Sequence, residues 1–135
     1  MRPALLLCVL ALLLAACGAA PRDSAKEFKG PERAVAATIE GLESAAREND
    51  SKVVCTKLLA QRLLSTLEDQ GTNCVTAVKQ AFQDADSMDL TVDEVTISGT
   101  KARAKVTSGT GGDKKTDTLE LEKAGAGWRI SSLRA

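Results

Sequence analysis

Four thiols are the most reactive groups in this chain of 135 residues: Cys8, Cys17, Cys55 and Cys74. A thiolate can take an acyl or alkyl group, pair with a second thiol or bind a metal, and its neighbours and compartment decide which. Its customary helpers are missing, because the sequence holds no His and no Tyr. The usual general base, the commonest metal ligand and the phenol acid are therefore all absent. The chain reads as non-enzymatic, with no cofactor and no metal. Phe28, Phe82 and Trp128 are its aromatic residues, and 18 basic side chains balance 18 acidic ones. Bulk charge gives nucleic acid nothing to bind.

The position of Cys17 gives it a specific chemistry. Arg2 is followed by an almost unbroken apolar run over residues 4–16, the pattern of a secretion signal. As a helix that run is about 20 Å long, too short to cross a hydrocarbon core of about 30 Å. The junction Leu14-Ala15-Ala16-Cys17 resembles the lipobox of bacterial lipoproteins. The resemblance implies cleavage between Ala16 and Cys17, a diacylglyceryl group on the Cys17 sulfur and further acylation by a chain such as palmitate. The alternative is an ordinary leader, with Cys17 a bystander. Each buried methylene contributes about 0.8 kcal/mol, so two or three chains anchor durably where one does not. The expected chain is exported and held by lipid on Cys17 at the outer face of the bacterial cell membrane.

Cys8 leaves with the leader, so Cys55 and Cys74 remain as an even pair in an exported chain, which points to a disulfide. The loop of about twenty residues that it would close corresponds to roughly 3 kcal/mol in the chain-entropy model. A metal site would want three or four ligands, and a redox pair a tighter Cys-x-x-Cys spacing.

The elements that must position these groups follow from periodicity. Residues 17–30, polar after the lipidated Cys17, read as a flexible tether. Pro31 then opens a helix with Val35, Ile39, Leu42 and Ala46 at helical spacing and Glu32, Arg33, Glu40, Glu43 and Arg47 on other faces. Asn49-Asp50-Ser51 supplies capping chemistry in preference to a glycosylation site. Val54 and Leu58, then Leu59, Leu63, Leu64 and Leu67, imply a short and a longer helix stopped by Gly71, and a further helix carries Val75, Val78 and Phe82. After Asp89 the period becomes two. Val95 and Ile97, Ala102, Ala104 and Val106, Leu119 and Leu121, then Trp128 and Ile130 mark one face of four strands. Short Gly-rich separators predict antiparallel hairpins. Helices followed by a meander argue for one α+β domain over residues 31–135, N-terminal helices packed on a curved four-stranded antiparallel sheet.

Several other constellations fail on spacing. Asp84, Asp86, Asp89, Asp93 and Glu94 miss the EF-hand pattern, because Met88 and Val95 fall where oxygen ligands belong. The stretch from Gly109 to Thr116 has the ingredients of a phosphate loop but neither its Gly-Lys-Thr ending nor a following helix. Lys101, Arg103 and Lys105 put three cations on one strand face, either solvated and answered by Glu120 and Glu122 or set to meet an anionic surface.

The sequences AVAATIEGLESAARENDSKVVCTKL, TNCVTAV and GWRISSL, in this order behind a lipobox, resemble the small exported lipoproteins of actinobacteria and related bacteria that carry a nuclear transport factor 2-like domain. The resemblance implies a cone-shaped α+β fold enclosing a pocket. Catalytic relatives place Asp, Tyr or His there; Tyr and His are absent from this chain, and the alternation puts no Asp on an inward strand position, so no catalytic residue carries over. Two expectations follow. One is an interaction or accessory domain that meets an envelope protein. The other is a carrier of a small apolar ligand, its pocket lined by Trp128, Val95, Ile97, Ala104, Val106, Leu119 and Leu121.

Overall fold

The computed structural model describes residues 23–85, 88–109 and 111–134, with side chains as far as Ser132. The leader, Cys8, the Ala16–Cys17 junction and Cys17 itself lie outside the described residues.

Helix α1 (Gly30–Arg47) begins where the sequence predicts, with Pro in its first turn and the preceding Lys29 extended. Its buried stripe is Val35, Ala36, Ile39 and Ala45, with Leu42 half-buried against the same core. Ala46 is only half-buried, and Glu43, expected on a polar face, is buried. Asn49 ends α1 in a left-handed conformation, φ 55°. Asp50 then caps the short α2 (Ser51–Val53), its Oδ1 accepting from the Val53 N–H at 3.0 Å. The chain continues as a π turn over Val54–Leu58, runs extended through Leu59, and enters α3 (Gln61–Asp69) and α4 (Cys74–Asp84). Gly71, at φ +71°, closes α3. The Thr72 N–H reaches the Leu67 carbonyl and the Gly71 N–H the Glu68 carbonyl, both at 2.8 Å, a pair of bonds that satisfies two carbonyls of the last helical turn. Asn73 caps α4, accepting from the Thr76 N–H at 3.2 Å.

Four strands follow: β1 (Leu90–Ser98), β2 (Lys101–Ser108), β3 (Lys115–Ala124) and β4 (Gly127–Arg134). They form one antiparallel sheet in the order β1-β2-β3-β4. Helix α1 lies across one face of it, and α3 packs at the β4 end. This is the α+β arrangement that the change of period predicts. Bulges between Val92 and Glu94 and between Glu120 and Leu121 bend the strands they interrupt. The β2–β3 connection contains a single 3-10 turn at Gly111–Asp113. A side chain at Gly109, φ +87°, would place its Cβ 2.7 Å from the Asp113 carbonyl oxygen, so this connection needs glycine there.

The tether is shorter than its composition suggests. Residues Ser24–Glu27 form a 3-10 turn in which Ser24 and Ala25 are buried. Ser24 Oγ donates to Glu40 Oε1 at 3.2 Å and accepts from the Val92 N–H at 3.3 Å, while the Ala25 N–H donates to the same Glu40 oxygen at 2.6 Å. Phe28 packs half-buried against the core. The fold therefore reaches back to Ser24 rather than starting at Pro31. Hydrogen bonds, not a hydrophobic stripe, hold this segment, so a reading of apolar periodicity passes over it.

Candidate functional site

The sheet brings the pocket candidates together on the face beneath α1. Antiparallel register sets Val95 beside Ala104, Ala104 beside Leu119, and Ala102 between Ile97 and Leu121. Partners in such a pair share a face. Val95, Ala104, Val106, Leu119, Leu121 and Trp128 are buried, none more than 8% exposed, and Ile97 is half-buried. All belong to or pack on one core with Ile39, Val35, Val54 and Ile130. The Thr38 hydroxyl of α1 donates to the Ala34 carbonyl at 3.0 Å and lies 3.5 Å from the Trp128 carbonyl, at the start of β4.

Two residues of this face lie outside the apolar pattern read from the sequence. Val92 is buried, because the bulge after it returns the inward side to Val95 instead of to Glu94. Asp117 lies opposite buried Val106 and two residues before Leu119, so it occupies an inward position of β3, half-buried. The expectation that no inward strand position carries an Asp is thus corrected. The apolar signal of β3 begins only at Leu119, which hides the preceding inward position in the sequence.

Cys55 and Cys74 form a disulfide with their Cα atoms 6.1 Å apart. It ties the π turn to the first residue of α4. The hairpin of α3 and α4 that hangs from this link contains no buried residue. Leu63, Leu64, Val78 and Phe82 are half-buried against the core, whereas Leu67 and Val75, also half-buried, stand outside the core cluster. Beside Val75 opens a depression of about 390 Å³ lined by Glu48, Asn49, Asp50, Ser51, Lys52 and Lys79.

Charged groups gather at two further places. On α1, Glu43 pairs with Arg47, and Arg47 also reaches Asp89 at 2.9 Å. Burial pushes the Glu43 carboxyl above its ordinary value, against the pull of Arg47 and of the Leu90 N–H; neighbouring Asp89 and Glu40 add to the rise. On the outer sheet face Arg103 pairs with Glu120 at 3.6 Å and Lys105 with Glu94 at 3.7 Å, and Lys101 lies opposite Glu122. The three cations of β2 are thereby interleaved with acids. The acidic run is dispersed as well: Asp93 accepts from Thr107 at 2.6 Å, Asp89 and Glu94 are paired as above, and Asp86 lies outside the described residues. Among the described residues no three metal-ligating side chains converge.

At the far edge, Arg129 bends round β4 to donate to the carbonyls of Thr56 and Leu59 at 3.1 and 3.2 Å. Leu59 bridges Ile130 in parallel, and the Ala60 N–H donates to the Ile130 carbonyl at 2.8 Å. Strand reading places Arg129 on the outer face but gives no sign of this grip, since the spacing assigns Leu59 to the apolar stripe of the longer helix.

No protein-family model matches the chain, and no curated protein matches it. Among solved structures it is similar to a de novo designed NTF2 fold protein, NT-9, at 18% identity over 77% of this chain and 81% of that one, with a TM-score of 0.45. At that distance the likeness assigns no function.

Proposed function

We propose that this chain is a lipid-anchored extracytoplasmic domain of the nuclear transport factor 2-like kind, serving as a non-enzymatic interaction module at the bacterial cell envelope. The observation that carries this reading is the α3–α4 hairpin. Two amphipathic helices without one buried residue, with Leu67 and Val75 outside the core, offer apolar anchors of the sort that fill a pocket on a protein partner. The lipobox resemblance and the absence of His and Tyr support the rest of the reading. The carrier alternative has less support, because its lining residues pack against one another and against α1.

The test is native mass spectrometry of the full chain extracted from its own membranes, beside a Cys17→Ser variant, with a photoreactive residue at Leu67 or, as control, at Lys105. Lipid on Cys17 and a protein adduct from position 67 but not from 105 is the expected result. An unlipidated wild-type chain released to the medium overturns the anchoring. Equal adducts at both positions overturn the hairpin as the contact surface, and a retained small molecule favours the carrier.

A further inference from the structure

We propose that the depression between the α1–α2 junction and α4 binds a small zwitterion, a molecule that carries an ammonium and a carboxylate on a short apolar body, as an amino acid or the smallest peptides do. The inference needs neither the lipid on Cys17 nor the partner contact at Leu67. One wall is the run from Glu48 to Lys52, and the other is Val75 and Lys79, one turn apart on α4. Helix α2 packs on α4, and the disulfide of Cys55 with Cys74 clamps the two walls next to Val75. The space of about 390 Å³ is of the size that holds small ligands.

Ser51 is the observation that points to a ligand. It is only 7% exposed and lines the depression. Among the described residues nothing hydrogen-bonds its hydroxyl, and no fully buried side-chain nitrogen or oxygen lacks a partner, so this oxygen keeps contact with the open space beside it. A nearly buried hydroxyl without a partner is unusual, and a bound group that pairs with it removes the cost. The charges around it are also unspent. Among the described residues Glu48, Lys52 and Lys79 make no ion pair, and Asp50 uses Oδ1 to cap the Val53 N–H, which leaves Oδ2 open. Two carboxylates and two ammoniums thus share one opening without meeting each other.

That balance selects the ligand. A phosphate would meet Glu48 and Asp50, a metal cation would meet Lys52 and Lys79, and an apolar molecule would strip water from all four. A zwitterion answers both signs: its carboxylate takes Lys52, Lys79 and the Ser51 hydroxyl, and its ammonium takes Glu48 and Asp50 Oδ2. Val75, the one apolar residue of the lining, leaves room for a small apolar side chain.

The test is a titration of the isotope-labelled full chain in detergent micelles, followed by amide chemical shifts, with alanylalanine, L-alanine, N-acetyl-alanylalanine and alanylalanine amide as probes. Saturable shifts at Ser51, Lys52, Val75 and Lys79 with alanylalanine are expected, and about tenfold weaker binding of either blocked form, each of which has lost one charge. L-alanine that saturates the same amides assigns a free amino acid, saturation by the dipeptide alone assigns a peptide, and both support the site. Ser51→Ala and Lys79→Gln, each with an otherwise unchanged spectrum, are expected to bind about tenfold more weakly, with Lys105→Gln on the outer sheet face as wild type. No saturable shift with either unblocked probe, shifts centred elsewhere, a blocked dipeptide that binds as well as the parent, or undiminished binding by both variants overturns the proposal.

Discussion

The layer formed by the sheet and α1 and the hairpin formed by α3 and α4 are held by different means. Under α1, side chains from all four strands close on Val35 and Ile39, with Ala104, Leu121 and Ile130 at 0–1% exposure. The hairpin buries no residue fully, yet a covalent bond ties it to the π turn. The first region is stabilised by desolvated apolar surface, at roughly 25 cal/mol per Å². The second has less of that and a constraint on its unfolded chain instead. Where burial thins out, the cross-link keeps the element in place while its apolar side chains stay partly open to other contacts.

The sharpest test of this contrast is a pair of truncations. Leu121→Ala, in the packed layer, is expected to cost about 2–5 kcal/mol, whereas Leu67→Ala, in the hairpin, should cost about 1 kcal/mol or less because little buried volume is lost. Denaturant unfolding of both variants measures the difference, and equal losses would break the comparison. Next in size, replacing the disulfide by Cys55→Ala with Cys74→Ala is expected to cost about 3 kcal/mol for its loop of about twenty residues. Amide exchange should rise first in α4 and last in β2 and β3; a uniform rise would mean that the link serves the whole fold.

The smallest effect concerns Glu43 at the border of the packed layer. Its carboxyl is held above the ordinary value of 4.5 by burial, so the folded chain keeps a proton that the unfolded chain has released. The stability that this contributes is fully present below 4.5 and is lost as pH rises through the raised value. Glu43→Gln lacks that slope. The melting temperature of the variant relative to the wild type should therefore climb between acid and neutral pH, and a flat difference would show that Arg47 cancels the effect of burial.

Most of the architecture is legible in the sequence. Pro31 and the spacing of Val35 and Ile39 locate α1, and Ala102-Arg103-Ala104-Lys105-Val106 declares an alternating strand. The pocket candidates are legible for the same reason, since inward alternation is the property that puts them on one face. Legibility fails wherever a local feature breaks the period or polar bonds replace apolar contact. The bulge after Val92 breaks the count in β1, and Asp117 precedes the apolar signal of β3. Where the spacing implies a short helix meeting a longer one that includes Leu59, the chain makes a π turn and an extended step at Leu59. Ser24 and Ala25 carry too little apolar surface to register, although Glu40 and Val92 hold them firmly. The hairpin's half-covered state is equally silent, because an amphipathic stripe has the same spacing whether it is fully or partly buried.

The grips at the two ends of the meander have a consequence for self-association. An open sheet normally presents unpaired backbone on its outermost strands, a template on which another copy can add its own strand. Here the Val92 N–H, near the start of β1, is taken by Ser24 on one side and the Ile130 carbonyl, in the middle of β4, by Ala60 on the other. At these two points a second chain could pair only by first displacing a piece of the protein's own backbone or side chain. The contacts that fasten Ser24 and Ala60 to the sheet therefore also interrupt each edge where another copy would otherwise pair.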